Sequence, residues 1–389
     1  MSNFLEKAKN IEETIKNDRR MIHQNPEVYD DLPLTTKYVK ERLKEMGIEA
    51  VEICKSGLMA EIGGFHGGKR ILLRADMDAL PMCEESGLPF SSSNDYAHTC
   101  GHDMHTAGLL GAAKLLKEHE KELKGTVRLM FQPDEEGLTG AQAMIDAGIL
   151  KDVDAAMACH VFPGTLKPGY IAAAPGYTMA SSDRFSIKIT GHGSHGSTPH
   201  KSIDPINTGV HIYLGLQEII AREANALDPL VITIGSFKAG DAPNIIPETA
   251  ILEGSIRAKT KESREFAKRR LVEISESVAK TYGTKCEVTY LGGTSPLYND
   301  PELLNEMITY LKDVTKGIET LDFQMGSEDF ALVAEQVPGI YLGVGAGGDE
   351  DYYQLYYNHN PKVMFSEDSL IYISTLFAHC AAKWLENNK

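Results

Sequence analysis

The stretch Arg70-Ile71-Leu72-Leu73-Arg74-Ala75-Asp76-Met77-Asp78-Ala79-Leu80-Pro81 decides the fold. Residues 70–75 read as an almost continuous apolar run, the mark of a strand covered on both faces at the centre of a sheet. Asp76 and Asp78 follow at its C-terminal end, where open α/β sheets build their sites. A carboxylate placed there can orient a metal-bound histidine from behind. A polar turn with an aspartate cap accounts for the same residues equally well.

Further along lies Tyr96-Ala97-His98-Thr99-Cys100-Gly101-His102-Asp103-Met104-His105, which gathers a thiol, three imidazoles and a carboxylate. Thiolate and imidazole are ligands that divalent transition metals select. Cys100 and His102 are two apart, which in an extended loop sends both side chains from one face. Gly101 between them lets the backbone bend close to an ion. A hydrogen-bonding polar loop is the plain alternative, and the density of ligand types argues for the ion.

Working outward, a strand predicted over 126–132 ends in Pro133-Asp134-Glu135-Glu136-Gly137. Adjacent side chains on an extended backbone point opposite ways, so one glutamate could ligate a metal while the other faces substrate or water. A strand predicted over 155–159 ends in His160, a third strand end carrying a ligand type. Upstream, the periodicity predicts one amphipathic helix over 4–25, ended by Pro26, and a second over 35–46, stopped by Gly47. His23 in the first of these reads as a structural hydrogen-bonder. A strand is predicted over 51–62, and helices over 106–119 and 141–148.

The pattern changes near residue 183. Phe185, Ile187 and Ile189 alternate with polar residues, as in a half-exposed strand. The turn-rich block Gly191-His192-Gly193-Ser194-His195-Gly196-Ser197-Thr198-Pro199-His200 follows. The order then runs helix (205–224), strand (230–238), strand (249–258), helix (262–282), strand (286–290). This is the βαββαβ order of a small ferredoxin-like domain. The expected architecture is therefore α/β with two domains: a mixed-sheet domain of residues 1–182 plus 294–389, and an inserted domain, 183–293.

Composition narrows the classes. A chain of 389 residues is long for one core, and its 42% hydrophobic and 24% charged content is ordinary for a globular protein. A net charge of −16 argues against nucleic-acid binding. The six cysteines show no disulfide framework of spacings. No secretory signal or membrane-spanning run is visible, so a cytoplasmic protein is expected.

Ligand types at the sheet-edge loops sum to Cys100, His102, Glu136, His160 and His359, with Glu135 left over. Such a set suits two metal ions and one general base, the logic of metal-assisted hydrolysis. The sequence resembles the aminoacylase/carboxypeptidase-type metallo-amidohydrolases, in the branch of the hippurate hydrolases and indole-acetyl-amino-acid hydrolases. The matching motifs are Arg74 to Pro81, Cys100-Gly101-His102-Asp103-Met104-His105, Phe131 to Gly137, Gly191 to His200, Asn244-Ile245-Ile246-Pro247, Met325 to Phe330 and His359-Asn360-Pro361-Lys362. They run in order along nearly the whole chain.

The resemblance implies that Cys100, His102, Glu136, His160 and His359 hold two divalent ions, manganese or zinc, with cobalt and nickel as further fits. It implies Glu135 as general base, with Asp76, Asp78 and Asp103 behind the ligands. Only this resemblance implies that the first domain is catalytic and the inserted one a lid and dimerisation element. It implies that His195 reaches across a homodimer to the oxyanion, and that Asn244 and Arg257 grip the substrate carboxylate. The expected activity is hydrolysis of N-acyl-L-amino acids, small molecules, by a homodimer built through the inserted domain, with neither nucleic acid nor membrane as partner. N-acetyl-diaminopimelate or N-acetyl-cysteine deacetylation is the alternative within the class. A cysteine hydrolase using Cys100, and a binding relative without turnover, are the alternatives outside it. The chain departs from the family pattern at Leu138-Thr139-Gly140, where a glycine run is usual, at Val363-Met364, and in the segment from Tyr29 to Thr36. None of these departures removes a ligand, and they bear on the acyl pocket.

Overall fold

Strand Arg70–Asp76 lies inside an eight-stranded mixed sheet of the computed structural model, which describes residues 3–388. The sheet order is Ala50–Cys54, Gly57–Gly63, Thr126–Gln132, Arg70–Asp76, Ala155–Phe162, Gly339–Gly345, Tyr170–Ala173, Gly317–Thr320. The four strands in the middle run parallel, and the last three of them are buried from end to end or all but one residue. Continuous apolar sequence is what burial on both faces demands. Parallel strands also bring their C-terminal ends to one edge, and those ends carry the aspartates, the glutamate pair and His160.

This sheet belongs to a compact unit formed by Met1–Gly176, Tyr298–Asp322 and Asp329–Lys389. Its principal helix, His102–Glu118, is buried along most of its length. A Cβ at Gly108 would come within 2.3 Å of Ile373, so only glycine lets helix Leu370–Asn387 pack this closely. The absence of a side chain thereby fixes the helix whose first residue is His102.

Several expectations change here. The single helix over 4–25 is two helices, Phe4–Asn10 and Glu12–His23. Ile11 between them leaves the helical region (φ −112°, ψ 12°), and Asn10 and Ile11 are both weak helix formers. The strand over 51–62 is a hairpin, Ala50–Cys54 and Gly57–Gly63, turned at Ser56 in a left-handed conformation (φ 58°). The Ser56 hydroxyl secures that turn by donating to the Asp30 carbonyl at 2.9 Å. The helix predicted from 106 begins at His102, so Cys100 and His102 do not share an extended loop. His160 sits within its strand, which continues to Phe162.

The second unit comprises Tyr177–Leu297 and Phe323–Glu328. Its antiparallel sheet has the order Leu230–Ala239, Thr249–Ala258, Ser182–Thr190, Lys285–Thr294, with helices Pro205–Glu218 and Lys261–Tyr282 between strands in the chain. The helix predicted to reach 224 gives way at Ile219 to a wider π turn, Ile219–Glu223. Phe185, Ile187, Leu252 and Ile256 meet Ile212, Leu216, Ala267 and Leu271 in the core. Full burial of each large apolar side chain contributes about 1.5–3 kcal/mol.

Candidate metal centre

Gly101 makes the centre possible. It adopts φ 93°, and a Cβ there would lie 2.4 Å from Val161 Cγ2. The left-handed turn places Cys100 just before the helix and His102 as its first residue. Three clusters result, each with its ligand atoms within 4.8 Å of one another: Cys100, His102 and His160; Cys100, Glu136 and His359; His102, Glu135 and Glu136. Cys100 Sγ is 3.2 Å from His160 Nε2 and 3.3 Å from His359 Nε2. His359 Nε2 is 3.2 Å from Glu136 Oε1. Cys100, His102 and Glu136 are each common to two of these clusters, so the three overlap as the ligands of two neighbouring ions would.

The glutamates arrive by a route the alternation argument missed. Asp134 is left-handed (φ 51°), and Glu135 and Glu136 lie in a turn. Both carboxylates therefore join His102 instead of pointing opposite ways. Asp78 fixes that turn: its two carboxylate oxygens accept the Glu135 and Glu136 backbone N–H groups, each at 3.1 Å.

The hydrogen bonds set the imidazole tautomers. His102 Nδ1 donates to the Asp78 carbonyl at 2.8 Å, and His160 Nδ1 donates to the Val161 carbonyl at 2.9 Å. Each ring then presents the Nε2 lone pair, as a ligand must. His105 is used up differently: Nδ1 donates to Asp76 at 2.6 Å, and Nε2 accepts the Val161 N–H at 2.9 Å. It is a support, although sequence alone offers it as a ligand type.

Without an ion the carboxylates hold protons on Cys100 and His102, and a divalent cation would take the place of those protons. Burial pushes the Cys100 thiol well above its ordinary range, and Glu136, Glu135 and Asp76 add to the push. Burial would lower His102, but Asp76, Asp78 and Glu136 carry it up to about 10. Burial likewise opposes the charge on Asp76, yet Arg74, His102 and His105 hold it well below the usual carboxylate range. His102 Nε2 is buried and forms no hydrogen bond among the described residues, and Glu136 Oε1 is buried with His359 Nε2 at 3.2 Å beside it. An orphaned donor atom in a buried, acceptor-rich cluster of thiol, imidazole and carboxylate fits divalent cations.

Asp103 lies one layer back, where its carboxylate accepts from Arg19 Nε at 2.9 Å and His23 Nδ1 at 2.8 Å. His23 also reaches Glu84 at 3.1 Å, so it is the hydrogen-bonder its sequence suggests. Sequence reasoning missed Arg19, Glu84 and Asp329. Asp329 accepts from Arg74 at 2.9 Å and from Gln132 at 2.8 Å, pinning two neighbouring strands. Arg74 and Gln132 were the available signal, since polar residues in strands buried on both faces need partners.

In the second unit, His195 and Asn244 are brought together: the Gly196 N–H donates to the Asn244 carbonyl at 2.8 Å, and His195 pairs with Ile245 in a short ladder. The Ser197 N–H donates to His195 Nδ1 at 3.1 Å, which leaves the neutral ring's proton on Nε2. Arg257 is half-buried on strand Thr249–Ala258 and donates to the Met325 carbonyl at 3.4 Å.

The model of peptidase family M20/M25/M40 matches residues 72–383. N-acetylcysteine deacetylase of Bacillus subtilis (strain 168) is 38% identical over 378 residues, spanning 96% of this chain and 97% of the relative. A putative aminohydrolase from methicillin resistant Staphylococcus aureus superposes with a TM-score of 0.94 at 33% identity, covering 99% of both chains. The YXEP protein of Bacillus subtilis, a dinuclear metal binding peptidase of the M20 family, superposes at 0.83 with 35% identity, covering 97% of this chain and 99% of that one. With a matched region of this length and relatives this similar end to end, the chain belongs to peptidase family M20/M25/M40.

Proposed function

We propose that this protein is a metal-dependent amidohydrolase that cleaves N-acyl-L-amino acids to a carboxylate and a free amino acid. One observation carries the reading: Cys100, His102, Glu136, His160 and His359 fall into overlapping ligand clusters, buried at His102 and His160 and open to solvent at His359, beside a second glutamate, Glu135, that the clusters can spare as a base. Cys100, His102, Glu136, His160 and His359 would hold two divalent ions, manganese or zinc. Bound there, such ions polarise the scissile carbonyl and make water a competent nucleophile at neutral pH.

The chain's own groups do the remaining work. Glu135 takes a proton from the attacking water and returns it to the leaving amine. The Asp78 hydrogen bonds keep its backbone fixed while it does so. His195 offers an Nε2–H to the developing oxyanion, contributed by the partner subunit. Asn244 and Arg257 grip the substrate carboxylate, a task that suits the planar guanidinium. A cysteine hydrolase is disfavoured, because burial and three carboxylates keep the Cys100 thiol from ionising by itself. The N-acetylcysteine deacetylase relative supports acetyl as one accepted acyl group.

A homodimer through the second unit is part of the proposal. Strand Leu230–Ala239 is a sheet edge, and helix Pro205–Glu218 exposes Ile206, Val210, Tyr213 and Leu214. An apolar helix face beside an open edge suits a second copy. No helix among the described residues is long and apolar enough to cross a membrane.

The test is hydrolysis of N-acetyl, N-benzoyl and indole-acetyl amino acids and N-acetyl-diaminopimelate by metal-free protein, with and without Mn²⁺ or Zn²⁺. Metal-dependent release of free amino acid is expected. A folded, metal-loaded sample that turns over no member of the panel overturns the reading.

A further inference from the structure

The open face of the second unit's sheet holds two arginines of unusual standing. Strands Ser182–Thr190 and Thr249–Ala258 are antiparallel, with Arg184 opposite Ser255. Phe185 and Ile256 point into the core, so Arg184, Ser255 and Arg257 share the other face. Arg184 is therefore the diagonal neighbour of Arg257, a separation of about 7–8 Å that long side chains span.

The unit contains six arginines. Arg222, Arg264, Arg269 and Arg270 each lie against a carboxylate. Arg184 and Arg257 do not, among the described residues, although acidic residues outnumber basic ones in the chain by 55 to 39. Burial lowers the basicity of Arg257, and the charge of Arg184 lowers it further. Arg184 is solvent-exposed and Arg257 half-buried, so the two guanidinium groups stand free of the protein's own carboxylates and open to the anions of a ligand.

We propose that Arg184 and Arg257 form a dicarboxylate-binding pair, so that the preferred substrates are N-acyl amino acids with a second carboxylate in the side chain. Arg257 takes the α-carboxylate, which rests on the function proposed above, and Arg184 takes the side-chain carboxylate.

The experiment compares kcat/KM of the metal-loaded full chain on N-acetyl-L-glutamate, N-acetyl-L-glutamine and N-acetyl-L-lysine. The wild type should favour glutamate over glutamine by about tenfold or more, the scale of one charge-assisted pair. Arg184→Ala should collapse that ratio towards one, mainly through KM for the glutamate substrate. Arg184→Glu should turn the preference towards the lysine substrate, a gain that misfolding cannot imitate. A wild-type ratio at or below one overturns the pair, as does an Arg184→Ala loss equal on all three substrates. Failure of the underlying reading looks different: Arg257→Ala would then leave KM unchanged for every substrate. Absence of turnover on all three by the wild type overturns both.

Discussion

In the first unit, helix His102–Glu118 starts on a buried imidazole, tied to the Asp78 carbonyl, and continues into a buried carboxylate, tied to Arg19 and His23. In the second, Phe185, Ile187, Leu252 and Ile256 fill the core, while His195 lies exposed on a glycine-rich turn. The contrast separates two requirements of one reaction. Ions need donor atoms fixed before they arrive, and that fixity takes desolvated charges held in pairs. A group that meets a substrate's changing charge can stay in water on a short ladder. The prediction from the comparison is that mutations in the first unit change chemistry or stability sharply, whereas those on the surface of the second change recognition.

The largest expected effect is at Glu135. Glu135→Gln should lower kcat by about 10²–10⁴, with bound metal, measured by elemental analysis, as in the wild type. Retained activity would end its assignment as the base. His195→Ala should cost about 10²–10³ in kcat, with a smaller change in KM. Mixing His195→Ala with Glu135→Ala subunits should restore part of the rate if each centre borrows the histidine of the other chain. A mixture as inactive as its components would remove the shared site.

Stability sharpens the contrast next. Asp103→Ala removes the anion that Arg19 and His23 share, leaving Arg19 with Glu367 at 3.6 Å and His23 with Glu84 at 3.1 Å, and should destabilise the chain by about 3 kcal/mol in denaturant unfolding. The pair Arg270–Glu223 in the second unit is part-exposed, so Arg270→Ala should cost less than about 1 kcal/mol. Similar losses at the two places would erase the distinction.

A further effect, spread over several pH units, is with pH. Burial opposes the charge on His23, but Asp103 and Glu84 outweigh it and raise its pKa from 6.5 to about 9. The folded chain then holds this proton more tightly than the unfolded one. Its contribution is complete below pH 6.5 and fades as the pH rises through about 9. Melting temperature should fall between pH 7 and 10 in the wild type, and His23→Gln should flatten that part of the profile.

Much of this was legible in the residues. The apolar runs at 70–75 and 126–132 identified central strands because burial on both faces leaves no room for polar alternation. The ligand set came from residue type and position at strand ends, and Cys100, His102, Glu136, His160 and His359 do come together in overlapping clusters. Left-handed backbone was not legible. Asp134 at φ 51° and Ser56 at φ 58° carry no glycine to announce them, so the glutamate turn and the hairpin at 55–56 were read as extended chain. Nor could the Asp103–Arg19–His23–Glu84 chain be read, since its members are scattered from residue 19 to residue 103 and only folding makes them neighbours.

The strand Gly339–Gly345 lies between Ala155–Phe162 and Tyr170–Ala173 in the sheet, although the whole second unit intervenes in the chain. During synthesis, the strand carrying His160 must therefore wait for a neighbour made long after it. The second unit is nearly continuous in sequence and can fold during that delay, while the large sheet stays open at its centre. His359 leaves the ribosome later still, so the full ligand set exists only once the last part of the chain has been made. On the proposed ligand set, metal uptake would come at the end of folding, and a chain cut short before residue 339 would retain Cys100, His102 and His160 without strand Gly339–Gly345 beside them.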